Sequence, residues 1–152
     1  VGVFTEHVDI MPTLLDALGL ALPPQLDGFA LTPFLKGAGA PAWRDAAHVE
    51  YDFRDASDPK AEEELGLTLD ECNLAFVRDA KFKYVHFAGL SPLLFDLARD
   101  PHETTDRAAD PDYARVAFAY AQKLMSWRMR HDDRTLSHMM ATREGMIARK
   151  RT

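Results

Sequence analysis

Between Leu74 and Leu97 the sequence offers three strand-like segments with very little chain between them. Leu74 to Arg78 and Lys81 to Phe87 are rich in β-branched and aromatic residues, and only Asp79-Ala80 separates them, the length of a tight hairpin turn. Leu93 to Leu97 follows after a short loop. Parallel pairing would need crossovers of a dozen residues or more, so these strands must run antiparallel. A fourth candidate, Ala47 to Phe53, alternates with period two, placing Val49, Tyr51 and Phe53 on one face and His48, Glu50 and Asp52 on the other. It reads as a half-buried strand whose polar face looks outward.

A sheet of this kind needs a partner layer, and the sequence supplies one. Asp110-Pro111 is a helix N-cap followed by proline at the first helical position, where its missing N–H costs nothing. Tyr113, Val116, Ala117, Tyr120, Ala121, Leu124 and Trp127 then recur at three- and four-residue intervals, an apolar stripe able to lie on a sheet. The helix should end near His131. The expected fold class is α+β, a small antiparallel sheet of about four strands packed by a long C-terminal helix.

The flanking regions are simpler. Val1 to Phe4 is a short apolar run. From Asp9, helical spacing places Ile10, Met11, Leu14, Leu15 and Leu18 on one face, with Pro12 confined to the first turn and Gly19 at the C-cap. Asp27-Gly28 marks a turn, and Leu31 to Leu35 reads as a short helix ended by Gly37. Residues 54–72 form an acidic excursion broken by Pro59 and Gly66. Residues 132–152 have no clear period and are expected to be an arm. The organisation read from this is 1–42, helix and loop; 43–131, the α+β part; and 132–152, the arm.

Chemistry is sparse. The 152 residues carry a formal net charge of −6, which argues against a nucleic-acid partner, because phosphate binding needs a concentrated basic surface. Arg149, Lys150 and Arg151 read as a solvated tail. No stretch of about 18 apolar residues is present, so no membrane-spanning helix is expected. Cys72 is the single cysteine, which excludes an intrachain disulfide, and with no basic neighbour it reads as a structural thiol. Ser91 lacks the Gly-x-Ser-x-Gly elbow of a nucleophile. None of the six histidines is four residues from another, the spacing that would set two imidazoles on one helix face for zinc. The best polar constellation is His48, Glu50 and Asp52 on one strand face, able to border a ligand, although a solvated outer face shows the same alternation. Tyr51 and Arg54 could donate to an anionic substrate, since guanidinium matches phosphate or sulfonate oxygens in two-pronged geometry; a core tyrosine and an edge arginine are the alternative.

Three stretches resemble, in order, the C-terminal region of the sulfatase and phosphonate monoester hydrolase family of the alkaline phosphatase superfamily. The first is Thr5-Glu6-His7-Val8-Asp9-Ile10-Met11-Pro12-Thr13-Leu14-Leu15-Asp16 with Gly19, Pro23, Asp27-Gly28, Leu31 and Leu35. The second is Trp43-Arg44-Asp45 with Glu50-Tyr51-Asp52-Phe53-Arg54-Asp55, closer in form to phosphonate monoester hydrolases than to arylsulfatases. The third joins Val77-Arg78-Asp79 and Lys83-Tyr84 to Leu94-Phe95-Asp96-Leu97, Asp100-Pro101 and Glu103. Phe95 stands where the family commonly has tyrosine, and Asp106-Arg107 where Asn-Leu is usual.

The family's Cys-x-Pro-x-Arg or Ser-x-Pro-x-Arg motif and its metal-binding aspartate pairs do not occur in these residues, so no catalytic or metal residue carries over. What the resemblance implies is a bacterial hydrolase of sulfate, phosphonate or phosphate esters. Its formylglycine nucleophile and divalent metal (Mn, Ca or Mg) would lie in an N-terminal catalytic portion beyond these residues, with which this chain would pack. The chain alone should be inactive. Expected with it are a homo-oligomer built through the arm, a cytoplasmic location, and a pocket rim formed by His48, Glu50, Tyr51, Asp52 and Arg54. Because the first residue is Val1 rather than Met, the chain is expected to continue upstream. A free-standing interaction domain that kept the fold without the chemistry is the competing reading.

Overall fold

The computed structural model describes residues 2–38, 42–54, 60–131, 139–143 and 145–148. The chain groups into two compact units, one of Val1–Glu6 with Pro41–Ser126 and the other of His7–Ala40 with Trp127–Thr152.

The first unit is built on a four-stranded antiparallel sheet, β1 (Ala46–Asp52), β2 (Asn73–Asp79), β3 (Phe82–Phe87) and β4 (Leu93–Asp96), in the order β1-β2-β3-β4. Sequence neighbours are sheet neighbours throughout; the short β2–β3 and β3–β4 connections require this, and β1 pairs antiparallel with β2 across a longer connection. The β2–β3 turn is Ala80-Lys81, one residue later than the expected Asp79-Ala80, because Asp79 stays in β2 and uses its side chain to close the turn. Its Oδ1 accepts from the backbone N–H of Lys81 and of Phe82, at 2.9 and 3.1 Å.

Register decides which side chains share a face. His48 lies opposite Val77, Val77 opposite Tyr84, and Tyr84 opposite Leu94. Val77, Tyr84 and Leu94 are buried and form the core with Ala46, Ala75 and Leu124. Leu124 belongs to α4 (Ala114–His131), which follows a 3-10 turn over Pro111–Tyr113. The Asp110 carboxylate caps that turn, accepting from the Asp112 N–H at 3.0 Å. Tyr113, Val116, Ala117, Tyr120 and Ala121 pack against the core as the periodicity anticipates. Two hydroxyls fix the helix to the strands: Tyr113 donates to Asp96 Oδ2 at 2.9 Å and Tyr120 to Asp79 Oδ2 at 2.5 Å.

The expected faces of β1 are reversed. The face of His48, Glu50 and Asp52 is the one turned toward the core, beginning with the fully buried Ala46, whereas Val49 and Tyr51 are exposed. Alternation alone cannot tell inside from outside; the pairing of His48 with Val77 does, and a shift of one residue would invert it. As an edge strand, β1 brings only its first residue into the core proper.

Residues 54–72 supply two short helical pieces, α3 (Lys60–Leu65) and a 3-10 turn over Leu69–Glu71. Thr68 and Glu71 close the second with a capping box, the Thr68 N–H donating to Glu71 Oε2 at 2.8 Å. Cys72 follows, fully buried, with Sγ 3.4 Å from the Thr68 carbonyl oxygen.

In the second unit a 3-10 turn over His7–Asp9 leads into α1 (Ile10–Ala17), and α2 (Thr32–Leu35) follows a loop. Pro12 is the third residue of α1, within the first turn where it loses no bond. The C-terminus of α1 closes through Gly19 N–H to Asp16 O and Leu20 N–H to Leu15 O, with Gly19 at φ 69°, the left-handed cap expected there. The loop is pinned by polar side chains at the N-cap and along α1: fully buried Asp9 accepts from Phe29 N–H at 2.9 Å, Thr13 Oγ1 accepts from Leu31 N–H at 2.8 Å, and Thr32 donates to Asp16. Ile10, Met11, Leu14 and Leu18 of the expected apolar face remain exposed.

The arm contains more order than its sequence suggests. β5 (Met139–Thr142) and β6 (Gly145–Ala148) pair antiparallel, with Met139 opposite Ala148. Residues 132–138 and the side chains of Met139, Met140, Met146 and Ile147, the basis for expecting a subunit contact, lie outside the described residues.

Candidate functional site

The five proposed rim residues share one strand and its exit but fall into two separate clusters. His48 belongs to the first. Its backbone N–H donates to Glu6 Oε1 at 2.7 Å, and its Nδ1 lies 3.6 Å from the same oxygen. Arg44 Nη1 lies 3.7 Å from Glu6 Oε2. All three side chains are withdrawn from solvent: Arg44 retains 11% of its exposure, Glu6 12% and His48 9%. Trp43 completes the clasp by donating Nε1–H to Phe4 O at 2.7 Å, with the Arg44 guanidinium over its ring. Residues 4–6 are thereby tied to the edge of β1.

Burial alone would raise the Glu6 carboxyl above its ordinary value. Hydrogen bonds from the His48 side chain and backbone, with the charges of Arg44 and His48, outweigh that and leave it lowered. The anion is therefore the stable form, held by the His48 backbone N–H, the His48 ring and the Arg44 guanidinium. Glu6 and Arg44 were both within motifs legible in the sequence, yet nothing there marked them as a pair, since they lie 38 positions apart.

The second cluster sits where β1 ends. Arg54 donates Nε–H and Nη2–H to Asp52, at 2.9 and 2.6 Å to Oδ2, and its Nη1 lies 3.7 Å from Asp70. The hydrogen bond to Asp52 and its charge hold the Arg54 guanidinium above, and the Asp52 carboxyl below, their usual values. Two of the prongs expected to meet an anionic substrate are thus engaged by a carboxylate. Tyr51 is exposed and stacks with Phe53, ring centroids 6.4 Å apart, and Glu50 is exposed between the clusters. The strand therefore presents an aromatic pair beside a neutralised guanidinium, not a convergent anion receptor.

A further charged cluster and the buried thiol serve the fold. Lys83 Nζ bonds Glu103 Oε2 at 2.5 Å and lies over the Phe76 and Phe95 rings, with Arg78 Nε 3.9 Å from Glu103 Oε1. Burial raises the Cys72 thiol, with the surrounding carboxylates adding to it, which is the state of an unreactive thiol. Among the described residues no group of three His, Cys, Asp or Glu side chains is arranged to hold a metal ion. The divalent metal implied by the sequence resemblance therefore finds no fitting donor set here, and no step of a reaction can be built on these residues through it.

Comparison with known proteins defines the class. Over 99% of its length the chain superposes on the phosphonate monoester hydrolase of Agrobacterium radiobacter, with a TM-score of 0.85 and 52% identity, covering 30% of that chain. The multifunctional alkaline phosphatase superfamily protein PehA of Trinickia caryophylli is 44% identical over 146 residues, 96% of this chain and 28% of that protein. Arylsulfatase K of Mus musculus is 33% identical over 122 residues, 78% of this chain and 20% of that protein. The fold is thus that of a C-terminal region shared by sulfatases and phosphonate monoester hydrolases, and the chain spans less than a third of the length of these relatives.

The family can be stated directly. The chain belongs to the family described as N-sulphoglucosamine sulphohydrolase, C-terminal, which matches residues 3–130.

Proposed function

We propose that this chain is the C-terminal portion of a formylglycine-dependent hydrolase of phosphonate, phosphate or sulfate esters, with nucleophile and divalent metal (Mn, Ca or Mg) supplied by residues outside it. The observation that carries this reading is the 52% identity across 99% of the chain to a phosphonate monoester hydrolase three times as long. In this arrangement the chain contributes packing and the border of a pocket. The exposed apolar residues of α1 and its C-cap, Ile10, Met11, Leu14 and Leu18, and the Val49 and Tyr51 side of the sheet are the surfaces available to the larger catalytic portion.

The pocket border is Glu50, Tyr51, Asp52 and Arg54, with His48 acting behind them through the Glu6 clasp. Tyr51 and Phe53 supply flat apolar surface for a leaving group, and the Asp52–Arg54 pair holds the exit of β1 in place. On the same reading the whole protein works in the cytoplasm and forms a homo-oligomer through the arm of residues 132–152.

The test has two parts. The isolated chain, assayed with aryl sulfates, phosphonate monoesters and phosphodiesters in the presence of Mn²⁺ or Ca²⁺, is expected to give no turnover; measurable hydrolysis would overturn the reading. The coding sequence upstream of Val1 is expected to contain Cys-x-Pro-x-Arg or Ser-x-Pro-x-Arg. In that longer protein, Tyr51→Ala is expected to change kcat/KM ratios between aryl and alkyl esters, and equal ratios would remove Tyr51 from the pocket border.

A further inference from the structure

Glu6, Arg44 and His48 place three ionisable side chains almost out of solvent around one carboxylate. Added chain can cover them further but cannot uncover them, so their enclosure does not depend on which outer surfaces a longer protein occupies. Enclosed ion pairs add little net stability over apolar groups of the same volume; what their directional bonds can secure is one arrangement of the parts they join.

Two parts of the chain meet at this clasp. Trp43 and Arg44, just before β1, and His48, its third residue, grip residues 4–6 at the Phe4 carbonyl and the Glu6 carboxylate. On its other side β1 is held by the ladder with β2, from the Ala46–Asp79 pair to the Asp52–Asn73 pair. What the clasp adds is therefore the place of residues 4–6 against this edge strand. Tyr51 stands three residues beyond His48, about 10 Å along the strand, and stacks with Phe53.

Under the proposed function, on which this step rests, the polypeptide carrying nucleophile and metal enters through residues 2–6, and Tyr51 borders the pocket. We infer that Glu6 is a positioning residue for substrate selection. By fixing residues 4–6 against β1, it sets the distance between the reacting centre and the aromatic border that receives the leaving group. Glu6 touches neither substrate nor metal in this role. A border at the right distance adds binding for an aryl leaving group and little for a methyl one, so its misplacement is read mainly in KM for the aryl ester.

The whole protein, encoded with the residues upstream of Val1, tests this through the ratio of kcat/KM for the phenyl and the methyl ester of one acid, phosphonic, phosphoric or sulfuric. Glu6→Ala is expected to lower that ratio about tenfold, chiefly through KM for the phenyl ester. Glu6→Gln keeps an oxygen for the His48 N–H, is expected to retain part of the ratio, and serves if Glu6→Ala does not fold. Tyr51→Ala is expected to lower the ratio by itself, and Glu6→Ala added to it is expected to lower it no further, since the border that Glu6 places is gone. Circular dichroism checks that each variant is folded. A ratio unchanged in both Glu6 variants, beside a Tyr51→Ala that lowers it, overturns the inference and leaves the proposed function standing. Equal losses for the two esters, or a double variant whose loss is the product of the single losses, overturn it too, because they mark a general structural role. A Tyr51→Ala without effect on the ratio overturns the pocket border and this inference together. A whole protein that cleaves none of the phosphonate, phosphate and sulfate esters overturns the proposed function, and the inference with it.

Discussion

Gly28 stands against the backbone of the turn that leads into α1. A Cβ built there would collide with the carbonyl carbon and oxygen of Val8, backbone atoms that cannot swing aside. Gly28→Ala is therefore expected to cost about 2 kcal/mol or more, measured as a lower urea midpoint at unchanged slope. The Asp-Gly pair was readable in the sequence as a turn, but the reason it must be glycine is a close approach between residues twenty apart, which no local pattern contains. Glu103 is the converse case. It occupies φ 56° without being glycine, and the compensating contacts are its ion pairs with Lys83 and Arg78. Glu103→Ala and Glu103→Gly both lose those pairs, but only the glycine variant relieves the left-handed backbone. Thermal unfolding should find the glycine variant the more stable of the two by about 1 kcal/mol.

At the scale of elements, local signals and pairing signals were unequally legible. The start of α4 was plain because an N-cap is a two-residue statement; Asp110→Ala should cost about 1 kcal/mol, read as a lowered melting temperature. The antiparallel sense of the last three strands followed from connection length, and the strands themselves from their β-branched, aromatic and alternating residues. The inward face of β1 did not follow, because period two gives two equivalent answers and only the Val77 partner chooses between them. The Glu6 clasp was invisible for the same reason, and it makes a prediction about pH. The Glu6 carboxyl is lowered on folding, so its contribution to stability is fully present above its ordinary value of 4.5 and is lost as pH falls through the folded value. Glu6→Gln should thus be less stable than wild type near pH 7, by on the order of 1 kcal/mol, with the gap closing in acid. A gap that stayed constant across an acid titration of the two melting curves would show that the carboxylate charge is not what holds β1.

For the whole molecule, membership of the family was legible because three motif stretches survive in order across most of the chain, whereas the rim was not. Strand alternation suggested that His48, Glu50 and Asp52 converge; in the structure Glu6 takes one and Arg54 another, and both partners come from outside the strand. The ordered hairpin of β5 and β6 was missed as well, since two four-residue strands carry too few residues to establish a period. The burial of Cys72 has a use that none of this required. With one thiol in the chain, fully enclosed beneath the turn that Thr68 and Glu71 cap, the protein carries its own clock for internal breathing. A membrane-impermeant alkylating reagent can reach that sulfur only when the corner opens, so the labelling rate under native conditions reports the opening equilibrium of a single known place. Thr68→Ala, which removes one half of the cap, should speed labelling well before it changes the melting temperature. Equal rates in the two proteins would mean that the thiol is uncovered only by unfolding of the whole sheet.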